Sequence, residues 1–378
     1  ILLFILLFCI MLIISNLNQV IAQNCVPLKA EDFQKLVKGK PTNLYFLENI
    51  NISAAITNYG GRIVNLCVPD KNGDMANVVL GFKNIDEYLN TKEIYHGALI
   101  GRVGNRIAKG KFMLDGVEYT LPLNNKTNHL HGGPDGFHNV VWDVKCVTDS
   151  SIILNYLSKD GEMGYPGNLN VEVKYTLTSK KEMIIEYQAI TDKATPVNLT
   201  NHAFFNLAGE KGGSINNHLL IINADKYTPI DSTLIPLKEN VPVTGTPFDF
   251  RKAKPIGQDL LLQTENRQLK YSSGYDHNFE LNKTVPGRLE FAASVCDPVS
   301  GRKMIVYTKE PGLQLYGGNF KDLPQILPLD KDFKYRRSFT LETQHFPDSP
   351  NHPNFPSVIL RPGEIYSTST IYQFVIEK

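Results

Sequence analysis

Short runs in which apolar and polar residues alternate recur along most of the chain. They read ISAAITNYG, GRIVNLCV, KFMLDGVEYTL, VVWDVKCV, SIILNYL, LNVEVKYTL, EMIIEYQAI, HLLIINA, LEFAASV, KMIVYT and LQLYGG. A period of two sends successive side chains to opposite faces of a strand, and β-branched and aromatic residues pack well on such a surface. Gly, Pro, Asn and Asp punctuate the runs, as turns require. In PDKNGDM and LDGVEY an Asn-Gly or Asp-Gly pair stands between two such runs, and these pairs accept the positive φ of a tight hairpin. Helical periodicity is weak, and short helices are predicted only at NIDEYLN and DLLLQTENRQL. The pattern predicts a mostly β chain. Its length points to a large antiparallel sandwich or barrel rather than to βαβ units, and no linker or composition break divides it.

The first residues depart from this pattern. ILLFILLFCIMLII is an uninterrupted apolar run followed by the polar SNLNQ and then VIAQNC. A bilayer span needs ~20 apolar residues, which this run does not reach. Val20 and Ala22 fit the small-residue pattern of a cleavage point. A secretory signal peptide over residues 1–22 is therefore expected, with a mature domain over 23–378 that is secreted and free of membrane segments. No Met or basic stretch precedes the run, so the N-terminus is expected to be incomplete. Beyond the run stand Cys25, Cys67, Cys146 and Cys296. Their spacing is not that of a zinc site; two disulfides and four buried thiols both remain open. Asn51, Asn125, Asn198 and Asn282 each begin an N-x-S/T sequon and are candidate glycan acceptors where exposed.

Charge removes one class of partner. The chain holds 39 basic and 38 acidic residues, net +1, so it lacks the concentrated basic footprint of a nucleic-acid binder. Its 17 Tyr and 19 Phe suit an aromatic-rich β core or the stacking of ring-shaped ligands.

Five side chains have contexts that suit acid–base chemistry. His131 precedes two glycines in NHLHGG, and glycine allows close backbone approach there. His202 stands in VNLTNHAFF, between an asparagine and two aromatic rings. Arg106, beside Asn105 in GRVGNRIAKGKF, offers a planar fork of donors for sugar or carboxylate oxygens. That segment lacks the ending of a phosphate loop. Asp276 in YDHNF and Glu342 in TLETQHF supply carboxylates. Read singly, each is as well explained as a loop, core or surface residue. Together they make up an acid–base site.

The segments GRVGNRIAKGKF, LDGVEYTL, NHLHGG, SKDGEMGYPG, PVNLTNHAFFNLAG, YDHNF, LQLYGGNF, LETQHFPDSPNHPNFP and LRPGEIY, taken in order, resemble the aldose 1-epimerase (galactose mutarotase) family, from Pro27 to Lys378. The resemblance implies a β-supersandwich and an isomerase that interconverts the α and β anomers of hexoses such as D-galactose and D-glucose. It implies His202 as general acid, Glu342 as general base and His131 at the sugar ring. It places Asn105, Arg106, Phe204, Asp276 and Gln314 against the sugar. The implied partner is a small aldose, and neither metal nor cofactor is needed, because ring opening asks only for one base and one acid at the two ends of a hemiacetal. Two features depart from the family: Phe204 stands where many relatives carry tyrosine, and His345 where they often carry asparagine. Asn198, four residues before His202, is expected on a strand that lines the site and hence to stay unglycosylated. A glycosidase-like hydrolase using Asp276 and Glu342, and a non-catalytic sugar-binding protein, are the alternatives on the same scaffold.

Overall fold

Among the described residues, alternation along the chain becomes antiparallel sheets of nine, five and four strands, with five two-stranded pairings beside them. The computed structural model describes Cys25 and residues 27–319 and 335–377; the signal peptide expected over 1–22 lies outside the described residues. The strands that position the site begin with a meander of four: β1 (Leu44–Asn49), β2 (Ile52–Thr57), β3 (Arg62–Pro69) and β4 (Met75–Asn77). Two-residue pairings follow: β5 (Leu99–Ile100) later meets β12, and β6 (Arg106–Ile107) pairs with β7 (His129–Leu130). Then come β8 (Asp143–Val147), β9 (Ser151–Ser158), β10 (Leu169–Leu177), β11 (Glu182–Thr191) and β12 (Thr200–Asn201). The last third supplies β13 (Leu219–Ile222), β14 (Ala224–Tyr227), β15 (Val241–Pro242), β16 (Lys254–Pro255), β17 (Asp276–Leu281), β18 (Glu290–Cys296), β19 (Arg302–Thr308), β20 (Gly312–Tyr316), β21 (Thr340–Gln344) and β22 (Tyr366–Ile376).

The largest sheet has nine strands in the order β8-β9-β10-β11-β22-β19-β18-β13-β16, and a second has five in the order β15-β14-β17-β20-β21. In β10 and β11 buried positions alternate strictly with more exposed ones, so one face of the large sheet meets the core. β21 is buried at every position. Its Thr343 hydroxyl bonds Thr370 on β22, and the Tyr372 hydroxyl donates to the Leu341 carbonyl at 3.2 Å. Odd-numbered residues of β21 therefore face the nine-stranded sheet, and Thr340, Glu342 and Gln344 face away from it.

Local signals in the sequence explain the turns and helices. Asp115 and Gly116, at φ 50° and 82°, close the LDGVEY hairpin, and Gly73 at φ 89° closes PDKNGDM. The predicted helices form as α1 (Ile85–Asn90) and α2 (Arg267–Tyr271), the latter preceded by a 3-10 stretch over Gln258–Thr264. The break between them is Asn266, whose side chain accepts from the Gln268 and Leu269 amides as an N-cap. Cys25 and Cys67 form a disulfide, while Cys146 is an exposed thiol and Cys296 a buried one. The cysteine pattern is thus one bridge and two thiols, and neither expected arrangement holds.

Two buried arginines anchor loops around the site. Arg62 donates to the carbonyls of Ile94, His96 and His138. Arg102 donates to those of Ser158, Lys159, Pro166 and Gly167. A buried guanidinium is tolerated because these acceptors replace its water.

Candidate active site

The five-stranded sheet provides one wall. Register places Asn278, Gln314 and Glu342 side by side on β17, β20 and β21, with Asp276, Tyr316 and Thr340 in the adjacent row. Cross-strand neighbours on one face lie within side-chain reach. Gln314 Nε2 donates to Asp276 Oδ1 at 2.6 Å. Arg106 brings Nη2 to 3.5 Å from Asp276 Oδ2 and donates from Nε to Asn125 Oδ1 at 3.2 Å. The Thr340 hydroxyl donates to Glu342 Oε1 at 2.9 Å.

Loops between short strand pairs provide the other wall. Asn105 and His131, at φ 60° and 52°, flank the β6–β7 pair in the left-handed region. The His131 amide donates to the Asn105 carbonyl at 3.0 Å, and the Asn105 amide donates to His131 Nδ1 at 3.1 Å. The Asn105 side-chain oxygen accepts from the Arg106 amide at 2.9 Å. The glycine after His131 has a steric reason: a Cβ on Gly132 would lie 1.8 Å from the Gly101 carbonyl oxygen. His202 continues from β12, its amide donating to the Ala98 carbonyl at 2.9 Å. His202 Nε2 lies 3.4 Å from Glu342 Oε1, and both residues are almost fully buried.

These contacts assign proton positions. His131 Nδ1 accepts a hydrogen bond, so a neutral ring carries its proton on Nε2 and is a donor there. Burial, reinforced by His202 and Arg106, holds the His131 pKa well below the usual range. Burial lowers His202 to about 3 and raises Glu342 to about 8, where the Thr340 hydrogen bond opposes the rise. Within the described residues, Glu342 Oε2, His202 Nδ1 and Gln314 Oε1 are buried without a hydrogen-bond partner. Buried polar atoms are rarely left so, and here they are the atoms available to a polar ligand.

His131, His202 and Glu342 each offer an atom within 4.8 Å of the others, which is metal-ligand spacing. The donor set does not fit a resident ion. His131 would have to ligate through Nε2, and moving its proton to Nδ1 would set it against the Asn105 N–H. The arrangement suits proton transfer instead.

The structure brings seven of the predicted residues together: His131, His202, Glu342, Asn105, Arg106, Asp276 and Gln314. Phe204, the eighth, stands beside them. It is buried, and its ring lies 4.8 Å from that of His202, so it supports the imidazole from within the core cluster. Sequence reasoning missed Tyr95, whose ring is 4.7 Å from that of His131, 4.8 Å from His138 and 5.7 Å from His202. It also missed Glu93, lifted by burial to about 7 and itself raising the Glu342 pKa. Both lie in KEIYHG, which has no spacing or residue pattern to single it out. A separate groove of about 1210 Å³ opens beyond the end of β21, lined by His345, Glu310 and Phe355 among others, away from the acid–base pair.

Comparison with known proteins places this geometry. The aldose 1-epimerase family model matches residues 43–373. Human galactose mutarotase is 44% identical over 338 residues, covering 89% of this chain and 95% of that protein. Aldose 1-epimerase from Escherichia coli is 38% identical over 343 residues, covering 90% and 97%. Among solved structures, an aldose epimerase homologue from C. elegans superposes with a TM-score of 0.78 at 29% identity, covering 89% of this chain and all of that one.

Proposed function

This chain belongs to the aldose 1-epimerase family and interconverts the anomers of aldoses; we propose that it does so with His202 and Glu342 as its acid–base pair. The observation that carries the assignment is the buried carboxylate and imidazole 3.4 Å apart, each with an unpartnered atom on a face lined by sugar-compatible donors and acceptors.

In the ring-opening step Glu342 takes the proton of the C1 hydroxyl. The C1–O5 bond breaks, its electron pair stays on O5, and His202 delivers a proton to O5. The substrate becomes the open aldehyde, having lost one proton and gained one. Rotation about C1–C2 presents the other carbonyl face, and reversal of the transfers closes the opposite anomer. The pair holds one proton throughout, as carboxylate with imidazolium before opening and as carboxylic acid with neutral imidazole after it. Burial favours the neutral form, so in the empty site the proton rests on Glu342 and must pass to His202 before Glu342 can accept the C1 proton. Mutual attraction across 3.4 Å favours the charged form. His131 donates from Nε2 to a sugar oxygen. Arg106, held by Asp276 and Asn125, and Gln314, held by Asp276, orient the remaining hydroxyls.

The glycosidase reading fares worse, because both Asp276 oxygens are already engaged, by Gln314 and Arg106. Hexoses such as D-galactose and D-glucose are the proposed substrates. Secretion is the proposed setting, supported by the Cys25–Cys67 disulfide, a bond favoured in oxidising compartments. Glycans are proposed at Asn51 and Asn282, both on exposed positions. Polarimetry of freshly dissolved α-D-galactose tests the activity: the protein should speed the relaxation of optical rotation, and release of aryl alcohol from an aryl galactoside would point to hydrolysis.

A further inference from the structure

Asn198 is fully buried, and its hydrogen bonds reach the three segments that carry the site. Its side-chain oxygen accepts from the His345 amide at 2.9 Å, and its Nδ2 donates to the His345 carbonyl at 3.2 Å. Its backbone amide donates to the Arg102 carbonyl at 3.0 Å, and its carbonyl accepts from Gly104 at 2.7 Å. His345 lies three residues beyond Glu342, Gly104 directly precedes Asn105 and Arg106, and Asn198 lies four residues before His202. The paired amide contact imitates a rung of β-sheet on one side of the acid–base pair, and on the other side Phe205 and Phe339 exchange both backbone hydrogen bonds, at 2.8 and 3.0 Å. The far side of that rung is also fixed. His345 Nδ1 lies 2.6 Å from Glu310 Oε2, and although burial opposes it, this ion pair raises the His345 pKa. The neighbouring Leu199 amide is held by the Tyr366 hydroxyl at 3.2 Å.

We propose that Asn198 is a positioning residue for the reaction: with the Phe205–Phe339 bridge holding one end, its side chain fixes the other end of the gap between the His202 and Glu342 segments. It touches neither the sugar nor the reacting protons. The inference rests on the acid–base reading of those two residues, which wild-type polarimetry and their own substitutions test separately. The Arg106–Asp276–Gln314 wall does not depend on the Asn198 amide, so sugar binding should survive its loss.

Asn198→Ala should lower kcat by about 10–100-fold, the cost of a displacement near 1 Å in a proton-transfer site, with KM within about twofold of wild type. Asn198→Asp is the sharper test and guards against a variant that fails to fold. Ionised, its carboxylate lacks the donor and faces the His345 carbonyl; protonated, it restores both hydrogen bonds. Burial raises the pKa of such a carboxyl. The ratio of N198D to wild-type kcat should therefore climb severalfold as pH falls from 8 to 6, with N198A showing no such recovery. A pH-independent ratio for N198D, or wild-type kcat in N198A with only its melting temperature lowered, would overturn the proposal. A change confined to KM would overturn it as well.

Discussion

Replacing Glu342 by Gln separates the two consequences of burying a carboxylate beside an imidazole. The substitution preserves shape and removes the base. A positioned proton acceptor contributes ~10²–10⁴ in rate, so kcat should fall by that factor while sugar binding is largely kept. Stability should move the other way. Burial lifts the carboxyl from 4.5 to about 8. Because the folded pKa lies above the unfolded one, the folded state binds the extra proton, and the stabilisation this brings is present at pH 4.5 and lost as pH rises to about 8. At ~1.4 kcal/mol for each tenfold change in acidity, the wild type gives up at most roughly 4–5 kcal/mol over that span. The Thr340 hydrogen bond, which favours the charged carboxylate, is already contained in that figure. The glutamine variant lacks this slope, so its stability advantage should grow between pH 5 and 8 and then level off. Polarimetry with α-D-galactose measures the rate, and urea unfolding at pH 5.5, 7 and 8.5 measures the slope. A variant that relaxes galactose at the wild-type rate would refute the base assignment. A variant that is inactive but shares the wild-type pH slope would refute the burial argument while leaving the base in place.

Further expectations follow from the same contacts. Wild-type kcat/KM should decline above pH about 8, where the Glu342–His202 pair loses its single proton and with it the acid; a flat profile to pH 9.5 would count against the shared proton. Arg106→Lys keeps the charge but loses the fork, and forfeiting a charge-assisted hydrogen bond of ~1.5–3 kcal/mol should lower kcat/KM by ~10-fold or more with little change in melting temperature. Burial depresses His129 and His218 to about 4 and His138, His202 and His277 to about 3, so unfolding takes up protons below pH 6.5. Stability should hence fall steeply as the medium is acidified through that range, as thermal melts across pH 7 to 4.5 would show. Glycopeptide mapping of protein from a secretory host should find Asn198 bare, since it is 1% exposed and its amide is committed to His345.

The strand-rich class was legible from period-two alternation, because that pattern is local: each strand reports which of its faces is buried. The turns at Asp115-Gly116 and Gly73, and the cap at Asn266, are equally local, since a residue's own backbone preferences and side-chain reach decide them. Most of the site residues were recognisable through family segments that keep their order along the chain. What alternation could not convey is which strand pairs with which. β21 meets β20 and leads through the His345 amide to Asn198, and that long-range pairing brings Glu342 to His202 from 140 residues away. The donor tautomer of His131 depends on an amide at Asn105, the raised pKa of Glu342 on enclosure by several strands, and the Cys25–Cys67 pairing on the 6.1 Å approach of two Cα atoms 42 residues apart. Phe204 shows the same limit, as its residue type suits both a sugar platform and a buried support, and only the tertiary structure shows its ring packed against His202. Chemical type and local face are properties of the chain; distance, enclosure and proton position arise when segments far apart in sequence are packed together.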